Sequence, residues 1–201
     1  VASKKTYKVK FRRRREGKTN YIKRLAMVKS EFPRAIVRKS NRYVRFQIVE
    51  YHPKGDKTLI DVNSKELEKL GWKADKKNIP SSYLTGALAA KKALEKGIKN
   101  AILDIGFNTP IHGSRVFAAL SGARDAGLDI KADEKAMPSK ERIEGKHISE
   151  YAKKESTESA KIFSGYLKKG LNAEELPLEF EKIKKKIISE RKTGEDNADK
   201  E

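Results

Sequence analysis

The residues best suited to chemistry in this chain are three aspartates, Asp61, Asp104 and Asp129, each beside a strand-like run. Carboxylates that converge from strand ends can hold paired metal ions and cut phosphodiesters. Such a site would make the chain a metal-dependent RNA nuclease. The competing reading is structural, because strand-end aspartates also cap helices and bind turn amides. The sparse acidic neighbours of all three favour it. Other catalytic patterns are absent: there is no G-x-S-x-G elbow and no H-E-x-x-H pair. His52, His112 and His147 stand in separate segments and the chain has no cysteine, so no metal site and no cofactor are expected. Gly55-Asp56-Lys57-Thr58 resembles the end of a phosphate loop, but Asp56 separates Gly55 from Lys57 and no upstream glycine has the spacing. It reads as a hairpin turn.

Residues 106–115 offer gentler chemistry. A glycine-bearing loop here follows an apolar strand and opens a helix, where free backbone N–H groups suit phosphate. Asn108, Thr109, His112, Ser114 and Arg115 add polar groups to it. An ordinary strand-to-helix loop with a serine cap explains the same pattern equally well.

The charge is more decisive. The 201 residues hold 47 Lys and Arg against 28 Asp and Glu, a formal charge of +19. The excess is segregated. Residues 1–46 contain 17 basic residues against Glu16 and Glu31 alone, while the rest of the chain is close to balanced. A charge so concentrated implies a polyanionic partner. In the arm, Lys4, Lys5, Lys8, Lys10, Arg12, Arg13, Arg14, Arg15 and Lys18 surround only Tyr7, Val9 and Phe11 as apolar residues. That is too little apolar face for a membrane surface. Arginine forks pair with phosphates, and Tyr7, Phe11 and Tyr21 can stack on bases. The partner is therefore read as nucleic acid, with no membrane. No apolar run approaches the ~20 residues of a membrane span, and the N-terminus has no apolar signal region, so the chain reads as soluble and cytoplasmic.

The elements that must carry these residues follow from period and punctuation. Residues 1–18 lack the apolar content to pack and are expected to stay disordered until a partner neutralises them. A helix capped at Thr19 or Asn20 runs to about Ser30, with Ile22, Leu25, Ala26 and Met27 as its apolar stripe and Arg24 on a wetter face. Three strands follow around Ala35-Ile36-Val37, residues 43–49 and residues 58–62, an antiparallel meander with a tight turn at Ser40-Asn41-Arg42. Arg38, Lys39, Arg42 and Arg45 extend the basic surface onto it. Asn63 and Glu66 have capping-box spacing, and Gly71 ends that helix. Ser81 or Ser82 starts a longer helix of small residues. Residues 101–105 form a buried strand, Ser114 caps another helix, and Leu128-Asp129-Ile130 suits a last strand. Pro177 suits the start of a C-terminal helix with Phe180, Ile183, Ile187 and Ile188 as its stripe. The tail from Arg191 reads as loose. The organisation is thus a basic arm with a short helix (1–31), a mixed-sheet α/β core covered by helices (32–130) and a helical extension (131–201).

Several strings are similar to one family. Phe11-Arg12-Arg13-Arg14-Arg15-Glu16-Gly17-Lys18-Thr19-Asn20-Tyr21 resembles the N-terminal signature of the 5S-rRNA-binding proteins of the large ribosomal subunit, the universal family numbered eighteen. Arg38-Lys39-Ser40-Asn41-Arg42, Pro80-Ser81-Ser82-Tyr83-Leu84-Thr85-Gly86, Leu103-Asp104-Ile105-Gly106, Gly113-Ser114-Arg115-Val116-Phe117 and Asp125-Ala126-Gly127-Leu128-Asp129-Ile130 resemble it in order and spacing. His147-Ile148 through Tyr151, and Phe163-Ser164-Gly165-Tyr166, echo the extension of its archaeal and eukaryotic branches, the latter being the eukaryotic large-subunit protein numbered five. The modest length resembles the archaeal type. The resemblance implies a ribonuclease-H-like translational-machinery fold without catalysis. It also implies attachment of 5S rRNA to the large-subunit rRNA at the central protuberance, beside the ribosomal protein numbered five. Arg12 to Arg15, Lys18 and Tyr21 would then belong to the RNA-binding arm, and Ser40, Asn41 and Arg42 to a turn at the RNA-facing edge of the sheet. A general basic RNA chaperone is the remaining alternative.

Overall fold

The computed structural model describes residues 8–154 and 159–189. Lys4, Lys5 and Tyr7 of the basic arm, and the tail from Arg191, lie outside them. Three strands arise where branched and aromatic residues alternate with polar ones: β1 (Arg34–Lys39), β2 (Val44–Glu50) and β3 (Lys57–Asn63). They form the expected meander, and β4 (Ile102–Asp104) joins parallel to β1, giving the order β3-β2-β1-β4. The sheet is therefore mixed. Its inner face carries Ala35, Val37, Val44, Phe46, Ile48, Ile60 and Val62, all buried. Its outer face carries Arg34, Ile36, Arg38, Arg45, Gln47 and Asp61.

Ahead of the sheet lie α1 (Arg12–Arg15) and α2 (Tyr21–Val28). The one-turn α1 departs from the expectation of an arm without structure. Local contacts explain it: the Phe11 and Tyr21 rings meet at 5.1 Å, and Arg13 Nε donates to Thr19 Oγ1 at 2.9 Å. Asn20 caps α2, its side chain accepting from the Lys23 N–H. Of the apolar stripe expected to bury on α2, only Met27 turns partly inward, half-buried at the edge of the sheet's outer face. Ile22 is 79% exposed and Leu25 58%, and no residue of the helix is buried.

The inner face is covered by α3 (Ile79–Glu95) and α4 (Arg115–Asp125). The capping box of Asn63 and Glu66 forms in full on the 3-10 turn Ser64–Leu70, which ends at Gly71 with φ 99°. The start of α3 corrects the sequence reading. Asn78, not Ser81 or Ser82, is the cap, and both serine hydroxyls donate to its carbonyl. The helix then crosses α4 so closely that a Cβ on Gly86 would collide with the Ala119 carbonyl, and one on Gly122 with the Tyr83 carbonyl. The small residues of α3 thus serve helix against helix. Residues 128–130 form no strand; Asp129 makes only an isolated bridge to Asn100.

Residues 131 onward add α5 (Lys140–Glu144), α6 (Lys146–Lys154), α7 (Ser159–Ile162), α8 (Ser164–Leu167) and α9 (Leu176–Ser189). Pro177 stands in the first turn of α9 as expected. Phe180, Ile183 and Ile187 bury into the same apolar cluster as α3, with the Phe180 and Tyr83 rings at 5.5 Å, while Ile188 stays exposed. At the free edge of the sheet, Lys96 Nζ donates to the Leu59 carbonyl of β3 at 2.7 Å.

Candidate nucleic-acid interface

Period-two alternation aims Arg34, Ile36 and Arg38 of β1 at the outer face, and Asp104 of β4 lies level with Ile36 in the parallel register. Arg34 is only 4% exposed. A guanidinium removed from water needs carboxylates around it. Arg34 Nη1 pairs with Asp104 at 3.2 Å, and Nη2 with Asp56 at 2.5 Å. Arg38 donates to the other Asp104 oxygen at 3.3 Å and to the Asp104 carbonyl at 2.8 Å. The Gly106 N–H completes the acceptor set of Asp104 at 2.8 Å. Gly106 takes φ 62°, and a Cβ there would press on the Arg38 guanidinium at 3.0 Å. On the other side Asp56, in the β2–β3 hairpin, binds Arg24 of α2 at 2.8 Å. A chain Arg24–Asp56–Arg34–Asp104–Arg38 therefore runs from α2 across the sheet to the β4 loop.

Above this chain sits a polar cleft of about 230 Å³ between α2 and the sheet. Arg13, Lys18 and Lys23 line it with the paired residues, so cations outnumber Asp56 and Asp104. Arg34 Nε finds no acceptor among the described residues, which leaves a donor unfilled on the cleft floor. The arm reaches the far rim through Arg14, whose guanidinium lies 5.2 Å from the centre of the Phe107 ring.

The three aspartates stand apart, each in its own setting. Asp104 is buried and held by two arginines, and Asp61 is held by Arg45 at 2.8 Å. Asp129 lies at the isolated bridge beyond β4. Among the described residues no three of His, Cys, Asp and Glu group as a metal site. Asp56 and its neighbours form the expected hairpin, not a phosphate loop.

The remaining site residues divide into two sets. Lys8, Lys10, Arg12, Arg13, Arg15, Lys18, Lys39, Asn41 and Arg42 are exposed, with Tyr21 and Arg24 half-buried beside them. Arg12 and Lys18 both flank Glu16. Ser40 is spent within its turn: its hydroxyl accepts from the Tyr43 N–H and donates to the Tyr43 carbonyl. Its role is to shape the hairpin that presents Asn41 and Arg42. In the 106–114 loop, Asn108 donates to the Ile105 carbonyl, and Arg115 turns back to the Lys77 carbonyl. Ser114 occupies the N-cap position without a side-chain cap bond, while Thr109 and His112 are exposed. Arg34 and Asp56 are the members that sequence reasoning missed. The Arg34-Ile36-Arg38 alternation, and one acid in a basic hairpin, were the available signals.

With this basic face in place, the family comparison becomes specific. Residues 5–101 match the family described as ribosomal large subunit proteins 60S L5 and 50S L18. That stretch contains the arm, α2, β1 to β3 and α3, hence most of the cleft. Over that stretch, just under half of the chain, it is similar to the L18/L5e large-subunit ribosomal proteins.

Proposed function

From that similarity as premise, we propose that the chain is a structural, non-catalytic protein of the large ribosomal subunit that binds 5S rRNA and helps fix it to the large-subunit rRNA at the central protuberance. Its location is then the cytoplasmic large subunit, beside the ribosomal protein numbered five. The observation that carries this reading is the sidedness of the charge. Among the described residues, Arg13, Lys18, Lys23, Arg24, Arg34 and Arg38 gather at one cleft on the outer face of the sheet, while the inner face is closed by α3 and α4.

The division of labour follows from geometry. Arg12 and Arg15 project from a single helical turn into solvent, which suits phosphate neutralisation. Asn41 and Arg42 sit on a hairpin pinned by Ser40 and two strands, which suits recognition of one RNA shape. Each neutralised phosphate contributes roughly 0.7–0.9 to the slope of log affinity against log salt. Replacing Arg12 and Arg15 together by alanine is expected to flatten the slope by about 1–2 and weaken 5S rRNA and tRNA alike. Replacing Asn41 and Arg42 is expected to reduce the preference for 5S rRNA over tRNA with a smaller change in slope. Equal binding of the unaltered chain to 5S rRNA and tRNA at two salt concentrations would refute 5S specificity and favour a general chaperone.

A further inference from the structure

The outward stripe of α2 has the wrong polarity for a helix seated on a sheet. Its inward side carries charge beside one apolar residue: Arg24 reaches Asp56, and Lys23, Arg24 and Met27 line the cleft. Its outward side carries Ile22 and Leu25, spaced as neighbours on one face, with Ala26 exposed beside them. Tyr21 continues the stripe one turn back from Leu25 and meets the Phe11 ring at a 55° tilt, Phe11 itself being 72% exposed. The result is an apolar and aromatic strip along both turns of the helix. Lys23 and Lys29 are exposed on or just after the same helix and Arg12 is exposed on α1, within residues 1–46, whose only acids are Glu16 and Glu31.

We propose that this strip receives unstacked nucleobases of the bound RNA while the surrounding cations hold the flanking phosphates. The occupant follows from charge and shape together. An apolar strip in a field of excess cations calls for a partner with apolar faces and anionic edges, and a single-stranded RNA segment has both. Aromatic and aliphatic side chains pack against base faces without reading sequence, and apolar residues set among basic ones are a recurring means of holding or wedging bases. The ion-pair chain beneath orients the strip, since α2 has no buried residue of its own to do so. The proposal rests on the RNA reading above and assigns Phe11, Ile22 and Leu25 a role distinct from phosphate binding.

The test compares the full chain with an Ile22→Ser, Leu25→Ser double variant. The probes are 5S rRNA, a short oligouridylate and an abasic ribose-phosphate oligomer of equal length and charge. The unaltered chain is expected to prefer the base-bearing oligomer to the abasic one by about tenfold. The double variant loses that preference, weakens on 5S rRNA by a similar factor, and keeps the salt slope of the parent. Both side chains are mostly exposed, so melting should not move, and Ile22→Val with Leu25→Met should restore binding. A double variant that keeps the base preference overturns the proposal while leaving 5S rRNA binding intact, and points the strip to a protein neighbour instead. A parent chain that fails to hold 5S rRNA overturns both readings.

Discussion

The two faces of the sheet are fixed in place by opposite means. On the inner face, α3 and α4 approach until Gly86 and Gly122 touch the carbonyls of the facing helix, and position is set by excluded volume. On the outer face, α2 has no buried residue and is held by the Arg24–Asp56 link to a charged network over a polar cleft. Volume makes a joint that tolerates no new atoms and ignores salt. Charge makes a joint that leaves room for a ligand and weakens as ions compete. The face proposed to meet a polyanion is the one built from charge.

The sharpest challenge to this contrast is Asp104→Ala. It strips Arg34 of one partner in a place where the guanidinium has almost no water. A loss of about 3–5 kcal/mol is expected in urea unfolding, as for other broken buried pairs. A loss below about 1 kcal/mol would mean that water already serves Arg34, and that the outer network is solvated rather than structural.

Next in size is Gly122→Ala. Its added methyl meets the Tyr83 backbone, which cannot swing aside as a side chain would. A cost near the upper end of about 1–3 kcal/mol is expected, unchanged between low and high salt. Salt dependence comparable to that of the outer variants would break the distinction between the faces.

Tyr83→Phe probes a polar tie at the same crossing, where the Tyr83 hydroxyl donates to Asp125 at 2.7 Å. The expected loss is about 1 kcal/mol. Burial, and then the Asp125 carboxylate, push the Tyr83 phenol above its ordinary value. The raised folded value means that this contribution is fully present below the unfolded value of about 10 and is lost as pH rises beyond it. The alkaline limb of a stability profile should therefore flatten in Tyr83→Phe, with no change near neutrality in the shape of the curve.

The smallest global effect is expected from Arg24→Ala, under about 1 kcal/mol because the pair is partly open to solvent. Its local effect is larger. Amide exchange across Tyr21–Val28 should quicken while exchange in α3 stays unchanged, and added salt should produce the same quickening in the parent chain.

The sequence made the local grammar readable. Alternation located β1 to β3, and the Asn63-x-x-Glu66 spacing with Gly71 located a cap and a stop that both form. Pro177 located the start of α9. Long-range facts were not readable in the same way. Nothing near Asp56 says that it will meet Arg24 and Arg34, because strand pairing closes that distance. The stripe of α2 misled because periodicity reports amphipathicity without saying which side meets the fold. Asn78 was overlooked as a cap because Ile79 and Pro80 intervene before the serines, although proline in the first helical turn is itself a start signal. The Leu128-Asp129-Ile130 run is apolar enough for a strand, yet Leu128 and Ile130 bury without extending the ladder.

The Lys96 hydrogen bond to Leu59 bears on what happens before any RNA is met. A free chain can meet its own copies, and the unpaired flank of β3 is a template on which a second molecule could add a strand. Lys96 occupies a carbonyl of that strand with an ammonium group, Lys57 sets a charge at its beginning, and a register irregularity opposite Ile48 and Val49 breaks the regular ladder. The other flank, β4, is only three residues long. Both margins of the sheet thus make poor templates for self-addition, one through its charge and irregularity and the other through its shortness.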